Sequence, residues 1–245
     1  MIRSLCGRRL RHSFSILLAL AAATAIAQTE DAAVDVAVEF ARGKWNPDGW
    51  QIVKGPRCEY CHGFTQRDGW IENECPDVSP EEVHRKHSDA VYSGMVMKRQ
   101  FRSGATVSST MGWDYRMAPL IVIAPELGRS RDGKHLELHD HWEIVIYDRG
   151  INVWRHFWNA EKGPSHIKAA SLKLEEPHLF RANVRHELKV TLSRNRKGHM
   201  EMTCSCGPYT LQYVDKNLPE TFYAGILGCE GRNFFYDFKV THKRR

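Results

Sequence analysis

The twenty residues from His139 to Trp158 constrain the fold of this chain more than any other segment. They contain two runs rich in β-branched and aromatic residues, 141–148 and 151–158, separated only by Arg149 and Gly150. A two-residue connection with glycine between two such runs predicts a β-hairpin. With Arg149 and Gly150 as the loop, the predicted cross-strand neighbours are Tyr147 with Asn152, Val145 with Trp154, Glu143 with His156, and His141 with Trp158.

The two faces of this hairpin differ in chemistry. Side chains alternate across a strand, so one face carries apolar residues interrupted only by Arg155 and is predicted to join the core. The other face mixes aromatic and polar residues, and that many polar groups would be costly in a closed core. We therefore expect this polar-aromatic face to be a working surface. Its members are His141, Glu143, Tyr147, Asn152, Trp154, His156 and Trp158.

The N-terminus has the composition of an export signal. Four arginines precede an apolar run at about residues 14–23, and Ala25, Ile26 and Ala27 match a small-residue cleavage site. The run is too short to span a bilayer, and no second apolar run of about 18 residues follows it. We expect residues 1–27 to be a signal peptide, 28–44 a leader segment and 45–245 one domain. The mature protein is expected to be secreted or periplasmic, with no membrane contact after cleavage.

The basic character of the chain is partly a property of this signal. The formal net charge of +6 falls to 6 − 4 = +2 when the four arginines of the signal are removed. A charge this small gives no reason to expect a nucleic-acid partner.

Six cysteines follow the predicted signal. An even number in an exported chain favours disulfide bonds, so all six are predicted disulfide residues. Two of them, Cys204 and Cys206, lie two apart on a predicted strand and point in parallel, so we expect a bond from Cys229 to one of them instead. The six are Cys58, Cys61, Cys75, Cys204, Cys206 and Cys229.

From residue 91 onward the pattern is almost entirely that of short β-strands with regularly spaced turns. The run 119–124 is apolar throughout, which is typical of a strand buried on both faces. One short helix is predicted after Ser79, which has Pro80 at the first helical position and Glu82 at the third. The pattern predicts an all-β fold, a two-sheet antiparallel jelly-roll sandwich with one short helix.

The last third of the chain carries a resemblance. The run PETFYAGILGCEGRNFFYDFKV, residues 219–240, resembles the closing strands of concanavalin A-like jelly rolls. That superfamily includes legume-type lectins, laminin-G-like modules, family 16-type glycoside hydrolases and polysaccharide lyases. The resemblance implies two stacked sheets, a concave face that holds carbohydrate and an exported role in the use of glycans. The expected partner is therefore a polysaccharide or oligosaccharide.

One hypothesis for the polar-aromatic face is a non-catalytic glycan-binding module, in which Trp154 and Trp158 stack on sugars while Asn152 and His141 contact hydroxyls. A second is a glycoside hydrolase. Family 16-type enzymes present an E-x-D-x-E run, but here Val145 and Tyr147 stand at the two later positions. Two-carboxylate hydrolysis needs a second acid, which would have to come from elsewhere. The alternatives are Glu72, Asp114, Glu126 and Glu230.

A third hypothesis, placed slightly ahead of hydrolysis, is a polysaccharide lyase. Elimination from a uronate needs a base, an acid and a group that neutralises the carboxylate, and histidine titrates in the useful range. The predicted catalytic residues are Tyr147, His156, Glu143 and Arg116, although no local lyase signature accompanies them.

The run Cys58-Glu59-Tyr60-Cys61-His62 matches the C-x-x-C-H pattern of c-type haem attachment. Its turn-rich surroundings and the further cysteine at position 75 favour a disulfide-bonded loop. An exported haem protein, or zinc on these cysteines and His62, is an alternative. Calcium is common in the superfamily, but no D-x-D-x-D-G run is present, so we expect no cofactor and keep calcium as an alternative.

Overall fold

The computed structural model describes residues 32–58, 61–88, 91–116 and 118–243, and the predicted signal peptide lies outside them. These residues form nineteen strands, one α-helix and one short 3-10 helix, Pro47–Gly49. The strands are β1 (Ala32–Glu39), β2 (Trp50–Ile52), β3 (Phe64–Gln66), β4 (Ile71–Asn73), β5 (Ser93–Met97), β6 (Phe101–Arg102), β7 (Ala105–Trp113), β8 (Pro119–Ala124), β9 (Leu127–Arg129), β10 (Leu136–Leu138), β11 (His141–Tyr147), β12 (Gly150–Phe157), β13 (Ser165–Lys173), β14 (His186–Arg194), β15 (Met200–Cys206), β16 (Tyr209–Val214), β17 (Thr221–Gly228), β18 (Asn233–Phe235) and β19 (Asp237–Lys243).

Most of the strands belong to two large antiparallel sheets. The first has the order β16-β15-β14-β7-β18-β4-β3, and β19 pairs with both β7 and β1. The second has the order β13-β12-β11-β8-β17-β5-β2, and β6 pairs with β17. Strands β9 and β10 form a separate hairpin. The predicted all-β sandwich is confirmed.

Strand β1 comes from the segment that was expected to be a leader. It pairs antiparallel with β19 over its whole length, with a register shift between Val34 and Val36. Part of the segment 28–44 is therefore an edge strand of the first sheet.

Strand β8 is buried on both faces of the second sheet. Ile121 and Ile123 point into the main core between the sheets, whereas Leu120 and Val122 belong to a second apolar cluster on the opposite face. Val53, Tyr92 and Leu138 contribute to this second cluster from outside the central strands. The continuously apolar sequence of β8 agrees with this double burial, and the outer face of the second sheet carries an apolar cluster of its own.

The predicted helix is confirmed as α1 (Pro80–Lys86). The Ser79 side chain accepts a hydrogen bond from the backbone N–H of Glu82, as its N-cap position predicts. Within the described ranges, no helix is long and apolar enough to cross a bilayer.

The predicted hairpin is present, but its loop is displaced by one residue. Strands β11 and β12 pair antiparallel, with Tyr147 opposite Gly150, so the loop is Asp148 and Arg149. Gly150 has a φ of +141°, and a Cβ at this position would lie 1.9 Å from the carbonyl oxygen of Leu172. The glycine is thus required at the start of the strand, where β13 approaches closely, and not inside the turn.

This displacement changes partners but not faces. His141 is opposite His156, and Glu143 is opposite Trp154, so the predicted Glu143–His156 pairing is wrong as a register. Moving the loop by one residue displaces each partner by two positions. Because the side-chain period of a strand is also two, the polar-aromatic face keeps the predicted residues.

The expected disulfides are not found, and no two cysteines in the described ranges are within bonding distance. Cys61, Cys75, Cys204, Cys206 and Cys229 carry free thiols. The predicted bond from Cys229 to β15 is wrong because the second sheet lies between them: both β15 cysteines face the main core, whereas Cys229 packs on the outer apolar cluster.

Candidate functional site

A cavity of about 370 Å³ opens on the outer face of the second sheet. Strands β11 and β12 supply part of its floor, and the segment around residue 57, the start of β13 and the end of β17 supply its walls. Its lining residues are Arg57, Ala118, Leu120, Glu143, Val145, Tyr147, Asn152, Trp154, His166, Cys229 and Glu230.

Four predicted site residues line this cavity, namely Glu143, Tyr147, Asn152 and Trp154. The indole of Trp154 is half-buried, with its ring centroid 5.5 Å from that of His166. Asn152 Oδ1 accepts a 2.7 Å hydrogen bond from Ser171 Oγ, which leaves the amide N–H groups of Asn152 to donate elsewhere. The cavity therefore combines one aromatic platform with directed polar groups.

Glu143 is the buried anion at the floor of the cavity. Tyr92 Oη donates a 3.3 Å hydrogen bond to Oε1, and Nε2 of His141 lies 3.3 Å from the same oxygen. Nε2 of His156 lies 3.0 Å from Oε2. Burial opposes ionisation of Glu143, but His156 and His141 outweigh it and hold the pKa of the carboxyl well below its ordinary value. The group is a carboxylate at neutral pH and a poor general acid.

The two histidines that contact Glu143 are inaccessible from solvent. His141 and His156 are 0% and 1% exposed, and their rings stack with centroids 4.2 Å apart. Burial lowers the pKa of His156, against the opposing effect of Glu143, so its imidazole is neutral near pH 7. Neither histidine is among the residues that line the cavity, and their predicted contacts with a sugar stay a prediction.

Two basic residues that line the cavity, Arg57 and His166, were not predicted from the sequence. Arg57 Nη1 lies 3.5 Å from Nε2 of the exposed His166. Arginine can only donate, so this nitrogen of His166 is the acceptor. Partial burial and the charge of Arg57 lower the pKa of His166, although Glu143 opposes this. The sequence around Arg57 and His166 contains no motif that indicates their position at the cavity.

Two predicted residues lie away from the cavity. Arg116 is exposed in the loop after β7, where its guanidinium is 5.9 Å from the ring of Tyr115. Trp158 lies beyond the end of β12, and the ring of His139 stacks on it with centroids 4.4 Å apart. The arginine that lines the cavity is Arg57, whereas Arg116 is not among the lining residues.

Of the four alternatives for a second acid, Glu230 alone lines the cavity. It lies in the loop after β17 with a backbone φ of +60°, and its carbonyl oxygen is bonded by His84. Glu72 is instead bound by Arg67 and Trp70, and Asp114 lies 4.0 Å from Arg232.

The C-x-x-C-H segment has no helix around it in the described residues. Cys58 packs beside the outer apolar cluster, and Nδ1 of His62 lies 3.5 Å from Glu74. Phe64–Gln66 follows as a short strand. These surroundings differ from the helical packing of c-type haem domains.

Comparison with known proteins identifies the architecture. No family model and no curated protein sequence matches the chain. The catalytic domain of an endo-1,3-β-glucanase (laminarinase) from Thermotoga petrophila RKU-1 is similar with a TM-score of 0.55 at 11% identity, covering 88% of this chain and 100% of that one. A protein of unknown function with a galectin-like fold from Bacillus subtilis is similar with a TM-score of 0.55 at 12% identity, covering 86% and 98%. The carbohydrate-binding module CBM66 from the same organism is similar with a TM-score of 0.50 at 10% identity, covering 78% and 94%.

The chain has a concanavalin A-like jelly-roll fold. The predicted resemblance is confirmed at the level of the fold. Identities of 10–12% in these comparisons show the fold alone, and fold does not determine function.

Proposed function

We propose that this protein binds a polysaccharide on the outer face of the second sheet, with one or two sugar units in the cavity beside Trp154. The observation that carries the proposal is the lining of this cavity, where an indole stands among carboxylate, amide, phenol and guanidinium groups. Aromatic rings stack on the apolar faces of sugars, and such polar groups bind hydroxyls. The volume of about 370 Å³ is at the lower end of the range for small-ligand pockets.

The basic and amide groups at the cavity suit an acidic sugar. Arg57 lies at one wall, Lys168 Nζ is 5.9 Å from the ring of Trp154, and Asn152, whose Oδ1 is bonded by Ser171, lines the same cavity with an amide that can donate. Guanidinium and amide donors suit a carboxylate group. The carboxylate of Glu143 is already held by its buried neighbours and leaves these cations available.

Two tryptophans of the same hairpin provide a matched test. Trp154→Ala removes the cavity platform, whereas Trp158→Ala removes an indole whose face is covered by His139. Isothermal titration with polygalacturonate or alginate oligosaccharides, and with a neutral β-glucan for comparison, measures the affinity. We expect Trp154→Ala to weaken binding at least about tenfold, equivalent to about 1.4 kcal/mol, and Trp158→Ala to bind like the wild type. Equal affinities of the wild type, Trp154→Ala and Trp158→Ala would contradict the proposal.

A second candidate function is β-elimination from a bound uronate. It is favoured by the presence of Tyr147, His166 and Arg57 in one cavity. The base removes the C5 proton, the C4–O bond breaks, a C4–C5 double bond forms, and the leaving oxygen takes up a proton. Arg57 stabilises the carboxylate in place of its contact with His166 Nε2, which leaves that nitrogen of a neutral His166 suited to be the base and the Tyr147 phenol to be the acid.

The near-ultraviolet absorbance of the unsaturated product distinguishes elimination from binding. We expect the wild type to produce this absorbance and Tyr147→Phe to lose it while it still binds the glycan. Release of reducing ends without the absorbance would indicate hydrolysis by Glu143 and Glu230 instead. Binding with neither signal would leave a glycan-binding module.

Export is part of the proposal and is supported by the composition of residues 1–27. N-terminal sequencing of the protein from an expressing cell is expected to begin at Gln28. A chain that retains Met1 and stays in the cytoplasm would contradict secretion.

A further inference from the structure

Three buried side chains converge behind the cavity. His141, Glu143 and His156 each present one ligand-type atom, and these atoms lie within 4.8 Å of one another. All three residues are at most 5% exposed. The proposed glycan site does not use the two histidines, so their function needs a separate explanation.

The hydrogen bond of His141 determines its tautomer. Nδ1 lies 2.7 Å from the backbone carbonyl oxygen of His139, and since a carbonyl can only accept, Nδ1 carries the proton. In a neutral imidazole this leaves Nε2 as a bare acceptor, 3.3 Å from Glu143 Oε1. Two acceptors that face each other need a positive charge between them, either a second ring proton or a metal ion in its place. An N–H that donates to a backbone carbonyl is also the usual way in which a metal-binding imidazole is oriented.

The ring nitrogens of His156 are the second indication that the cluster binds a further group. Neither of its ring nitrogens makes a hydrogen bond within the part of the chain that is described, although the residue is 1% exposed. Its Nε2 is 3.0 Å from Glu143 Oε2 but is poorly aligned for a hydrogen bond. Buried polar atoms without partners are rare in folded proteins, because each costs free energy.

We propose that His141, Glu143 and His156 bind a divalent transition-metal ion of the zinc class. Zinc takes imidazole and carboxylate ligands at about 2.0–2.2 Å, which places ligand atoms around a tetrahedral ion about 3.3 Å apart. His141 Nε2 lies 3.3 Å from Glu143 Oε1, and His156 Nε2 lies 3.0 Å from the other carboxylate oxygen, Oε2. Both separations are close to this value, so each imidazole shares the ion with a different oxygen of Glu143. The stacked imidazoles have to tilt towards the ion. Calcium and magnesium prefer oxygen ligands and fit two imidazoles poorly.

The position of Glu143 connects this site to the cavity. Its side chain lines the cavity while its oxygens contact both histidines, so a bound ion lies at the cavity floor. With three protein ligands, the remaining coordination position is filled by water or by a hydroxyl of a ligand, as in open zinc sites. Metal binding itself does not depend on the proposed glycan function.

The measurement uses the metal alone. The mature protein is treated with a chelator, titrated with zinc chloride in a calorimeter, and analysed for bound metal after desalting. We expect one zinc per chain and an increase in melting temperature. Replacement by cobalt(II) reports the ligands in the wild-type protein: weak visible d–d bands without a strong near-ultraviolet thiolate band are expected for nitrogen and oxygen ligands. The absence of tight binding, or a thiolate band, overturns the proposal.

Variants locate the site and separate it from the cysteine-rich segment. His156→Gln and Glu143→Gln are expected to weaken zinc binding at least tenfold, with folding checked by circular dichroism. The double variant Cys61→Ser/Cys75→Ser, which removes two thiols outside the cluster, is expected to keep the full stoichiometry. Undiminished binding in folded His156→Gln, or loss of binding in the double variant, overturns the assignment. The wild-type cobalt spectrum decides the outcome if the glutamine variants do not fold.

Discussion

Replacement of Glu143 by alanine tests the buried cluster through its stability. The substitution removes the contacts to Tyr92, His141 and His156, whose side chains are at most 5% exposed. A buried group left without its partner costs about 1–3 kcal/mol, and removing one member of a buried charged pair costs roughly 3–5 kcal/mol. Because the new space adjoins the cavity, water can enter it and partly satisfy these groups. We therefore expect Glu143→Ala to lower the free energy of unfolding by about 3–5 kcal/mol.

The assay is urea denaturation followed by circular dichroism, with a chelator present so that metal ions do not contribute. Glu187→Ala is the matched control, because it removes an ion pair to Lys189 at 3.0 Å in which both side chains are 50% exposed. Such exposed pairs contribute about 0–1 kcal/mol. A folded protein is typically stable by about 5–15 kcal/mol, so the expected loss for Glu143→Ala is a large share. A loss no greater than that of the control would refute this account of the cluster.

Two further predictions concern the sandwich itself. Gly225→Ala places a Cβ 2.0 Å from a backbone carbonyl oxygen of strand β5, so we expect a loss of about 3 kcal/mol or more; Gly69→Ala, which meets no atom within 4 Å, is the control in the same thermal melts. Burial of Asp215 opposes its ionisation, but the hydrogen bonds from Tyr213 and Asn217 and the nearby Arg155 outweigh it and lower the pKa below its ordinary value of 3.8. This stabilisation is present above pH 3.8 and is lost as the pH falls through the lower folded pKa, so the penalty of Asp215→Asn in urea melts should shrink in acid. An equal penalty at pH 7 and pH 3 would contradict this reasoning.

The hairpin shows what local pattern can and cannot predict. Alternation of side chains correctly assigned Glu143, Tyr147, Asn152 and Trp154 to one face, and all four line the cavity. The loop was misplaced because Gly150 looked like a turn residue, whereas its conformation serves the close approach of β13. That neighbouring strand is a tertiary feature, which a short-range turn rule does not include.

Burial was the second quantity that the pattern did not provide. His141 and His156 share the face of Trp154, yet they are buried while Trp154 is half-exposed. The difference arises because the outer face carries its own apolar cluster, to which Tyr92 and Leu138 contribute from distant parts of the chain. Period-two alternation distinguishes two faces of a strand, but it does not indicate what covers each face.

The sequence by itself therefore determined the all-β class, the capped helix, the doubly buried strand β8 and the chemistry of one hairpin face, because each depends on residues within a few positions of one another. Only the tertiary structure decided which groups meet at the cavity. Arg57, His166 and Glu230 come from segments separated by about 60 to 170 residues and reach the hairpin through sheet pairing and loop packing. The same packing brought two imidazoles and a carboxylate together and left the ring nitrogens of His156 without a hydrogen bond in the described part of the chain, and this is the basis of the proposed metal site.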